Sequence, residues 1–464
     1  CQMNISDGEL MQGVLASDGY EIVDRPEDAD VVLVNTCAIR EHAERRVLGR
    51  VSQLNGIKLE RPDLVIGVTG CMAQRMGESL LEDAPYVDLV MGPDGYRTLP
   101  EQLRELVPAA DSADAPSGSP GATAPRPSRT SRAGSPARQL AVLGMNREEN
   151  YEGLEMRRTS DVAAWIPIQR GCDHRCTFCI VPYVRGPEKN RRAEDVLDEV
   201  RALGAAGTTE VTLLGQTVNS YSAGEWSFPR LLREVSRLPG IRRVRFTSPH
   251  PNDVTPELIA VMAEEPNVCE QLHLPAQSGS NRTLKRMLRR YTVESFLEKV
   301  ERVREGVPDI ALSTDIITGF PGETEEEFEQ TLELMRRVRF DDAFTYKYSL
   351  REGTPATRFP EGDFIDGEVA QRRLEELIRV SRDIQREINR TEVGRVEEVL
   401  VERSAREPGQ VMGRTRRNKV IAFAGDASLI GSYHRVELVA TTGPTFSGRP
   451  AGAADEAPGL QRTA

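Results

Sequence analysis

A predicted strand runs directly into three closely spaced cysteines at residues 164–180, "AWIPIQRGCDHRCTFCI". The cysteines are Cys172, Cys176 and Cys179, and their spacing is C-x3-C-x2-C. Three thiolates on one short loop are able to bind three irons of a [4Fe-4S] cluster and leave the fourth iron open. Structural zinc is the alternative, but it requires a fourth ligand, and His174 lies awkwardly between two cysteines. We therefore expect an open iron–sulfur cluster on this loop.

Strands and helices alternate around and beyond this loop. Helical patterns such as "AEDVLDEVRALGAAG" separate the strand candidates, which is typical of βα units on parallel strands. The six strand candidates are "AWIPIQ", "EVTLLG", "RVRFTS", "QLHLP", "ALSTDIIT" and "AFTYKYS". We predict a partial (β/α)6 barrel over residues 151–390, with its chemistry at the carboxyl ends of the strands.

Two further domains are predicted on either side of the barrel. Residues 1–107 alternate strands such as "DVVLVNT" and "DLVIGVTG" with helices, which predicts an open parallel βαβ sheet. Residues 108–150 begin with a Pro-, Ser-, Ala- and Gly-rich stretch and are predicted to be a flexible linker. Short alternating strands predict a small β-barrel over residues 391–442, followed by a disordered tail over 443–464. The predicted fold class is α/β with a C-terminal β-barrel.

The composition limits the class of protein. A chain of 464 residues with 39% hydrophobic and 28% charged residues is typical of several soluble domains. Since no apolar run approaches the roughly 18 residues of a membrane helix, we expect a cytoplasmic protein without membrane association. The net charge of -12 disfavours binding of nucleic acid over the whole surface, while a local basic patch stays open. Seven cysteines, an odd number, favour metal or redox chemistry over a disulfide framework.

A second set of cysteines recurs at equivalent places in the N-terminal domain. Cys37 follows the strand "VVLVNT" and Cys71 follows "VIGVTG", and Cys1, Cys37 and Cys71 are separated by 36 and 34 residues. Each spacing is about one βαβ step, so the three thiols are expected at one edge of the sheet. We predict a second metal cluster there, with three buried core thiols as the alternative. Cys1 would then follow a first strand that is missing from the sequence, and Cys269 fits neither set.

The cysteine loop after the first strand of a six-unit barrel resembles that of the radical S-adenosylmethionine (SAM) enzymes. The resemblance implies that the open iron binds SAM and that one electron cleaves it to a 5′-deoxyadenosyl radical. Phe178, just before the last cysteine, also fits that family. Three segments match the places where such barrels bind SAM. The SAM contacts that the resemblance implies are Gly215, Gln216 and Asn219 in "LLGQTVN", Ser248 and His250 in "RFTSPHP", and Asp315, Gly319 and Gly322 in "DIITGFPGET".

Within that group, "CQMN", "NTCAIREHA" and "GCMAQ" resemble signatures of the methylthiotransferase family. The third domain resembles the TRAM domain, an RNA-binding β-barrel, and the match covers the chain apart from the linker and tail. The resemblance implies two [4Fe-4S] clusters, two SAM per turnover, an electron donor such as flavodoxin or ferredoxin, and a sulfur source. We expect a monomer.

The motifs "LLGQTVN", "HLPAQSGSNRTLKRMLRRYT" and "GRTRRNK" look most like those of the tRNA-modifying members of the family. This implies addition of a methylthio group to carbon 2 of isopentenyladenosine in the tRNA anticodon stem-loop. The alternative substrates are threonylcarbamoyl-adenosine in tRNA and an aspartate of a ribosomal protein. An RNA-binding protein with a structural metal is the alternative that is not an enzyme.

Two basic segments are candidates for RNA contacts. The hairpin "MGRTRRNKV" carries Arg414, Arg416, Arg417 and Lys419 with no acidic residue among them. Because phosphates require local positive charge, and because this segment lies in the TRAM-like domain, we predict that these four residues bind RNA. For the basic helix at 282–290, an RNA surface and a solvated face are equally open. Only 5% of residues are aromatic, which favours one flipped base over a wide stacking surface.

Overall fold

A computed structural model describes residues 2–38, 41–107 and 139–451 of the chain. Cys1, most of the predicted linker (108–138) and the end of the predicted tail (452–464) lie outside the described residues. The chain forms two compact units. The first unit comprises Met3–Arg157 with the short segment Tyr183–Gly186, and the second comprises Arg158–Pro182 and Pro187–Ala464.

The first unit contains a four-stranded parallel sheet in the order β1-β2-β3-β4, flanked by helices. Its elements are α1 (Gln2–Ser17), β1 (Val31–Thr36), α2 (Glu41–Glu60), β2 (Val65–Gly70), α3 (Cys71–Met76), α4 (Ser79–Asp83), β3 (Leu89–Met91), α5 (Leu99–Leu106) and β4 (Leu140–Val142). Alternate residues of β2 enter different cores, since Val65 packs in one hydrophobic cluster and Ile66 and Val68 in another. Apolar helices therefore cover both faces of the sheet, as a parallel sheet requires.

Strand β4 lies within the segment that the sequence predicts to be a linker. It pairs in parallel with β3, with Leu140 opposite Leu89 and Val142 opposite Met91. A strand of three residues is too short to display a period of its own, and the Pro- and Ser-rich sequence before it hides its start. The boundary of the first unit therefore extends to Arg157.

The second unit begins with six parallel strands, as predicted. They form two three-stranded sheets in the orders β11-β8-β5 and β12-β13-β14, and a parallel bridge between Val244 and Val268 links the two halves. The strands of this region are β5 (Ala163–Pro167), β6 (Gln169–Arg170), β7 (Lys189–Asn190), β8 (Glu210–Leu214), β9 (Ser222–Ala223), β10 (Trp226–Ser227), β11 (Arg243–Phe246), β12 (Gln271–His273), β13 (Ala311–Thr318) and β14 (Asp342–Lys347). This arrangement confirms the partial (β/α)6 barrel.

Amphipathic helices pack their apolar faces on these strands in one large core. They are α6 (Val181–Val184), α7 (Ala193–Ala205), α8 (Phe228–Ser236), α9 (Pro256–Glu264), α10 (Asn281–Arg286), α11 (Val293–Gly306), α12 (Glu325–Val338) and α13 (Gly367–Glu392). Thr292 and Thr324 are the N-cap residues of α11 and α12, and each forms a capping box with the residue three positions later. The sequence therefore indicates where these helices start. None of the helices in the described ranges has the length and apolarity to cross a membrane.

A small closed barrel completes the second unit. Its strands, in the order β15-β16-β17-β19-β18, are β15 (Val396–Ser404), β16 (Gln410–Thr415), β17 (Val420–Ala424), β18 (Tyr433–Thr441) and β19 (Thr445–Pro450). The sequence predicts a disordered tail from residue 443, and for β19 this prediction is wrong. The strand pairs with both β17 and β18 and buries Phe446, and this pairing outweighs its Gly- and Pro-rich composition.

Candidate active site and metal centres

The thiols of the C-x3-C-x2-C loop cluster in the second unit. Cys172 and Cys176 are buried and Cys179 is partly buried. Burial, together with the neighbouring Cys176 and Cys172, raises the pKa of Cys179 to about 12. Three cysteine sulfurs on one loop are the donors that bind three irons of a [4Fe-4S] cluster. The donor set therefore fits an iron–sulfur cluster, with these three cysteines as its ligands.

Two polar side chains contact the sulfurs of this loop. The hydroxyl of Thr217, just beyond β8, lies 3.1 Å from Cys172 Sγ. Arg289 donates from Nη1 to Cys176 Sγ at 3.4 Å and from Nε to the hydroxyl of Tyr291. The sequence leaves Arg289 as a candidate for RNA binding, but the structure places it beside the thiols. Arg282 and Arg286 of the same segment are also engaged, with Glu327 and Asp363.

His174 does not join the three thiols as a fourth ligand. Its ring stacks on that of His250, with 3.9 Å between centroids, and its Nε2 lies 3.8 Å from Asp253. His174, His250 and Asp253 form a cluster of their own that has the right atoms for a cation. This placement supports the open cluster over the zinc alternative.

The three implied SAM contacts after the second barrel strand, Gly215, Gln216 and Asn219, differ in whether their polar atoms already have partners. The side chain of Asn219 exchanges two hydrogen bonds with the backbone of His250, 2.9 Å from Nδ2 and 2.7 Å to Oδ1, and so ties the ends of β8 and β11 together. Gly215 packs on Gln169, whose Oε1 would lie 2.8 Å from an added Cβ. Gln216 Oε1, in contrast, is buried and has no hydrogen-bond partner among the described residues. Of the three, Gln216 is the one with a polar atom left for a ligand.

The remaining implied contacts lie at the carboxyl ends of β11 and β13. Ser248 adopts a φ of 58°, and Gly319 a φ of 70° with Ala370 at 2.8 Å from an added Cβ. The backbone N–H of Gly322 donates to the carbonyl oxygen of Asp363 at 2.7 Å. Asp315 pairs with the ring of His273 at 3.2 Å. The structure thus brings all the strand ends named in the sequence to one end of the barrel, where βα barrels bind their substrates.

Two residues at this end of the barrel are missed by the sequence. His273, in β12, contacts Asp315 through Nε2 and Ser313 through Nδ1. Gln277 has a φ of 66° and a buried Oε1 without a partner in the described structure. Their segment, "HLPAQSG", is a family signature in the sequence, but nothing in its pattern marks single residues as ligands.

The carboxyl edge of the sheet in the first unit collects the other cysteines. Cys37 follows β1 directly and is partly buried, whereas Cys71 follows β2 as the first residue of α3 and is 8% exposed. Between the two strand ends, Gly70 has a φ of 94°, and an added Cβ would lie 2.5 Å from the carbonyl oxygen of Thr36. The glycine before Cys71 is thus required for the strands to approach each other here.

The same edge carries two buried hydroxyl groups without hydrogen-bond partners in the described structure. Tyr96 is fully buried, and neither its hydroxyl nor that of Thr69 has a hydrogen-bond partner within the described ranges. Burial raises the pKa of Tyr96, and the nearby Asp7 raises it further. Two orphaned hydroxyls beside two thiols fit a group with acceptor atoms, and the sulfides of a cluster are acceptors. The prediction that Cys1 completes this site lies outside the described residues.

The start of α1 is fixed to this edge. Asn4 donates to Asn35 Oδ1 at 2.7 Å and to the carbonyl oxygen of Thr36 at 3.1 Å, and Asn35 donates back to the carbonyl oxygen of Asn4. The motif "CQMN" therefore ends on a residue that binds the chain just before Cys37.

The four basic residues of the β16–β17 hairpin are engaged inside the second unit. Arg416 forms an ion pair with Glu270, Arg417 with Glu392 and Glu397, and Lys419 with Asp341. Arg414 pairs with Glu402. Glu270, Asp341 and Glu392 lie outside the small barrel, so their ion pairs secure it to the (β/α)6 barrel and α13, whereas Glu397 and Glu402 lie in its first strand, β15. RNA binding by these four residues stays a prediction, and these ion pairs weigh against it.

Comparisons with known proteins agree with this geometry. Three family models match: the Radical SAM superfamily over residues 166–335, the uncharacterized protein family UPF0004 over 1–92, and the TRAM domain over 390–443. Among solved structures, a radical S-adenosylmethionine methyltransferase from Kitasatospora setae has a TM-score of 0.54 at 18% identity, covering 76% of this chain and 73% of its own. At that identity, the likeness concerns the fold alone.

Relatives with much higher identity span almost the whole chain. The tRNA-2-methylthio-N(6)-dimethylallyladenosine synthase of Thermoanaerobacter sp. (strain X514) is 43% identical over 97% of this chain and 90% of its own length. The synthase of the same name from Carboxydothermus hydrogenoformans is 41% identical over 96% of each chain. The chain therefore belongs to the tRNA-2-methylthio-N(6)-dimethylallyladenosine synthase family of radical SAM methylthiotransferases.

Proposed function

We propose that this enzyme adds a methylthio group to carbon 2 of isopentenyladenosine beside the anticodon of tRNA. The observation that carries the proposal is the second set of thiols. Cys37 and Cys71 follow neighbouring parallel strands and meet at one edge of the first unit, apart in sequence from the C-x3-C-x2-C loop. Radical chemistry alone requires one cluster, whereas transfer of sulfur requires a place to hold it. Relatives that are 43% and 41% identical over nearly the whole chain carry the name of this reaction.

The chemistry explains why a radical is needed. The C–H bond at carbon 2 of an adenine ring is inert toward acid–base catalysis. When bound, a [4Fe-4S] cluster with SAM supplies a 5′-deoxyadenosyl radical that removes this hydrogen. Cys172, Cys176 and Cys179 would hold that cluster, and the unpartnered amide oxygens of Gln216 and Gln277 are available to SAM. Burial lowers the pKa of His250 to about 2, so its ring would add no positive charge at the end of the barrel where cationic SAM would bind.

The auxiliary centre would supply the sulfur. Cys37 and Cys71, with Cys1, would hold a second [4Fe-4S] cluster, and one SAM would provide the methyl group while another provides the radical. The proposal includes the tRNA anticodon stem-loop as substrate, a flavodoxin or ferredoxin as electron donor, a separate sulfur source, and a monomer acting in the cytoplasm. The small TRAM barrel supports RNA as the substrate.

Nucleoside analysis of tRNA tests the substrate. A strain without this gene is complemented with the wild type, Cys37→Ala, Cys176→Ala or Cys269→Ala, the last being a buried thiol outside both sets. We expect 2-methylthio-isopentenyladenosine with the wild type and Cys269→Ala, and only isopentenyladenosine with the other two. If the strain without the gene instead lacks 2-methylthio-threonylcarbamoyl-adenosine, that nucleoside is the product. If its tRNA is unchanged, isopentenyladenosine is not the substrate.

The purified variants separate the two centres. Cys176→Ala is expected to abolish formation of 5′-deoxyadenosine from SAM, whereas Cys37→Ala is expected to retain it and lose thiolation. Anaerobic reconstitution should give about eight irons per wild-type chain. If Cys37→Ala still methylthiolates tRNA, the auxiliary centre does not act in the reaction.

A further inference from the structure

A buried arginine contacts one of the auxiliary thiols. Arg185 belongs to the first unit, and its side chain is 2% exposed. Its Nε donates to Cys71 Sγ at 3.1 Å, which is shorter than the 3.4 Å from Arg289 to Cys176 in the other set. The sequence does not link the two residues, which are 114 positions apart.

Asp7 fixes the orientation of this arginine. Its carboxylate, 1% exposed, accepts from Arg185 Nη2 at 2.5 Å and from Nη1 at 3.5 Å. With both terminal nitrogens bound to one carboxylate, the guanidinium plane is set and the single Nε hydrogen points at sulfur. The ion pair neutralises itself, so the donor to sulfur is held without an unbalanced buried charge.

A purely structural ion pair would not require this third contact. The carboxylate of Asp7 is satisfied by the two terminal nitrogens alone, and the remaining donor of Arg185 could face any acceptor. It faces the one thiol at this edge that also follows the required glycine, Gly70, and near which the Tyr96 hydroxyl lacks a partner. Charged donors to ligand sulfur stabilise the anionic ligand and raise the reduction potential of the group it holds.

We propose that Arg185 is a positioning residue of the auxiliary centre, which holds Cys71 as a ligand and raises the reduction potential of the cluster bound there. The inference rests on the proposed function, since it requires the second cluster. Asp7 acts through Arg185 and is the residue that keeps it in place.

The test uses the full-length protein without its other cluster. In a Cys172→Ala/Cys176→Ala/Cys179→Ala background, any reconstituted cluster belongs to the auxiliary centre, and we expect about four irons per chain. If this background binds no iron, the auxiliary centre and the inference both fall. If it binds iron, the auxiliary centre exists, and the Arg185 variants then test the inference by themselves.

Into this background we introduce Arg185→Met with Asp7→Asn, which removes both charges and avoids an unpaired buried carboxylate. The matched control is Lys58→Met with Asp88→Asn, another largely buried ion pair of the first unit, which has no sulfur contact in the described structure. We expect the Arg185 variant to lose iron to a chelator about tenfold faster and to have a lower reduction potential. The control should match the background, and Arg185→Lys should restore part of the potential.

Circular dichroism establishes that each variant is folded. A folded Arg185→Met/Asp7→Asn protein with an unchanged potential and an unchanged electron paramagnetic resonance spectrum would overturn the inference while leaving the auxiliary centre intact. An equal drop of potential in the Lys58 control would overturn it as well, because the effect would then follow from stability alone. If the double variant is unfolded, Arg185→Lys decides by the same two measurements.

Discussion

His250 illustrates how tertiary burial changes a single residue. The ring is 5% exposed and packs between His174 and Tyr291, with Asp253 3.9 Å from Nδ1. Burial, together with the nearby Arg289, His174 and Lys299, lowers its pKa from 6.5 to about 2. A histidine with a lowered pKa in the folded state stabilises the fold above pH 6.5, and this contribution is lost as the pH falls toward 2.

This gives a prediction about pH dependence. Between pH 7 and pH 5.5, the free energy of unfolding of the apoprotein should fall by about 1 kcal/mol more in the wild type than in His250→Gln. The Asn219 bonds reach only the backbone of His250, so they survive the substitution. Urea denaturation at both pH values measures the difference. If the free energy of unfolding falls equally in the two proteins, the pKa of His250 is not lowered by folding.

At the same scale, the residues that the sequence identifies are the candidate ligands, and the residues that it misses are the side chains that contact them. Cysteines are identified as candidate ligands by their residue type and their spacing. Arg185, Gln277 and His273 acquire their roles from contacts across the chain, and basic residues such as Arg417 and Lys419 look like RNA contacts until their acidic partners are seen. A charge run in the sequence does not show whether it faces solvent.

At the scale of elements, the strand ends determine the chemistry. In the first unit, β1 and β2 pair in parallel from Val31–Val65 to Thr36–Gly70, so the residues that follow them emerge side by side. Gly70 makes this approach possible, because its positive φ turns the chain directly into α3 at Cys71. The two strands were predictable from the alternation of apolar runs with helices, whereas the close contact at their ends was not.

Substitution of Gly70 tests this contact. Gly70→Ala should lower the free energy of unfolding by about 3 kcal/mol, because it combines backbone strain with a clash against Thr36. Gly19→Ala is the matched control, since Gly19 has a similar φ of 90° with nothing within 4 Å of an added Cβ. There we expect about 1 kcal/mol. Urea denaturation measures both variants. If both lose the same free energy of unfolding, the contact between Gly70 and Thr36 does not constrain the strand ends.

At the scale of the whole molecule, the chain is two compact units whose boundaries only partly follow the sequence. The first unit includes β4 from within the predicted linker and Tyr183–Gly186 from within the barrel sequence. The small barrel takes in β19 from the predicted tail. β4 and β19 are held by pairing with other strands, and Arg185 of the segment Tyr183–Gly186 by its bonds to Asp7 and Cys71; no local pattern displays these contacts.

Truncation tests the last of these boundaries. A chain ending after Thr442 lacks β19, and the amides of β17 and β18 should then exchange with solvent about 100-fold faster. A chain ending after Ala451 keeps the strand and should exchange like the full-length protein. Hydrogen exchange followed by mass spectrometry measures both. Unchanged protection in the shorter chain would mean that β19 does not close the barrel.

Periodicity and cysteine spacing, taken along the chain alone, predict the classes of structure and the candidate metal ligands of this protein. Periodicity follows from local geometry, and the thiols at 37, 71, 172, 176 and 179 lie where their strands end, so both are visible in one dimension. Tertiary structure alone decided which groups surround those thiols. Arg185 beside Cys71, Arg289 beside Cys176 and the unpartnered amide of Gln216 depend on side chains packed from distant parts of the chain. Burial then sets their charge and their hydrogen bonds, and these are properties of the packed environment.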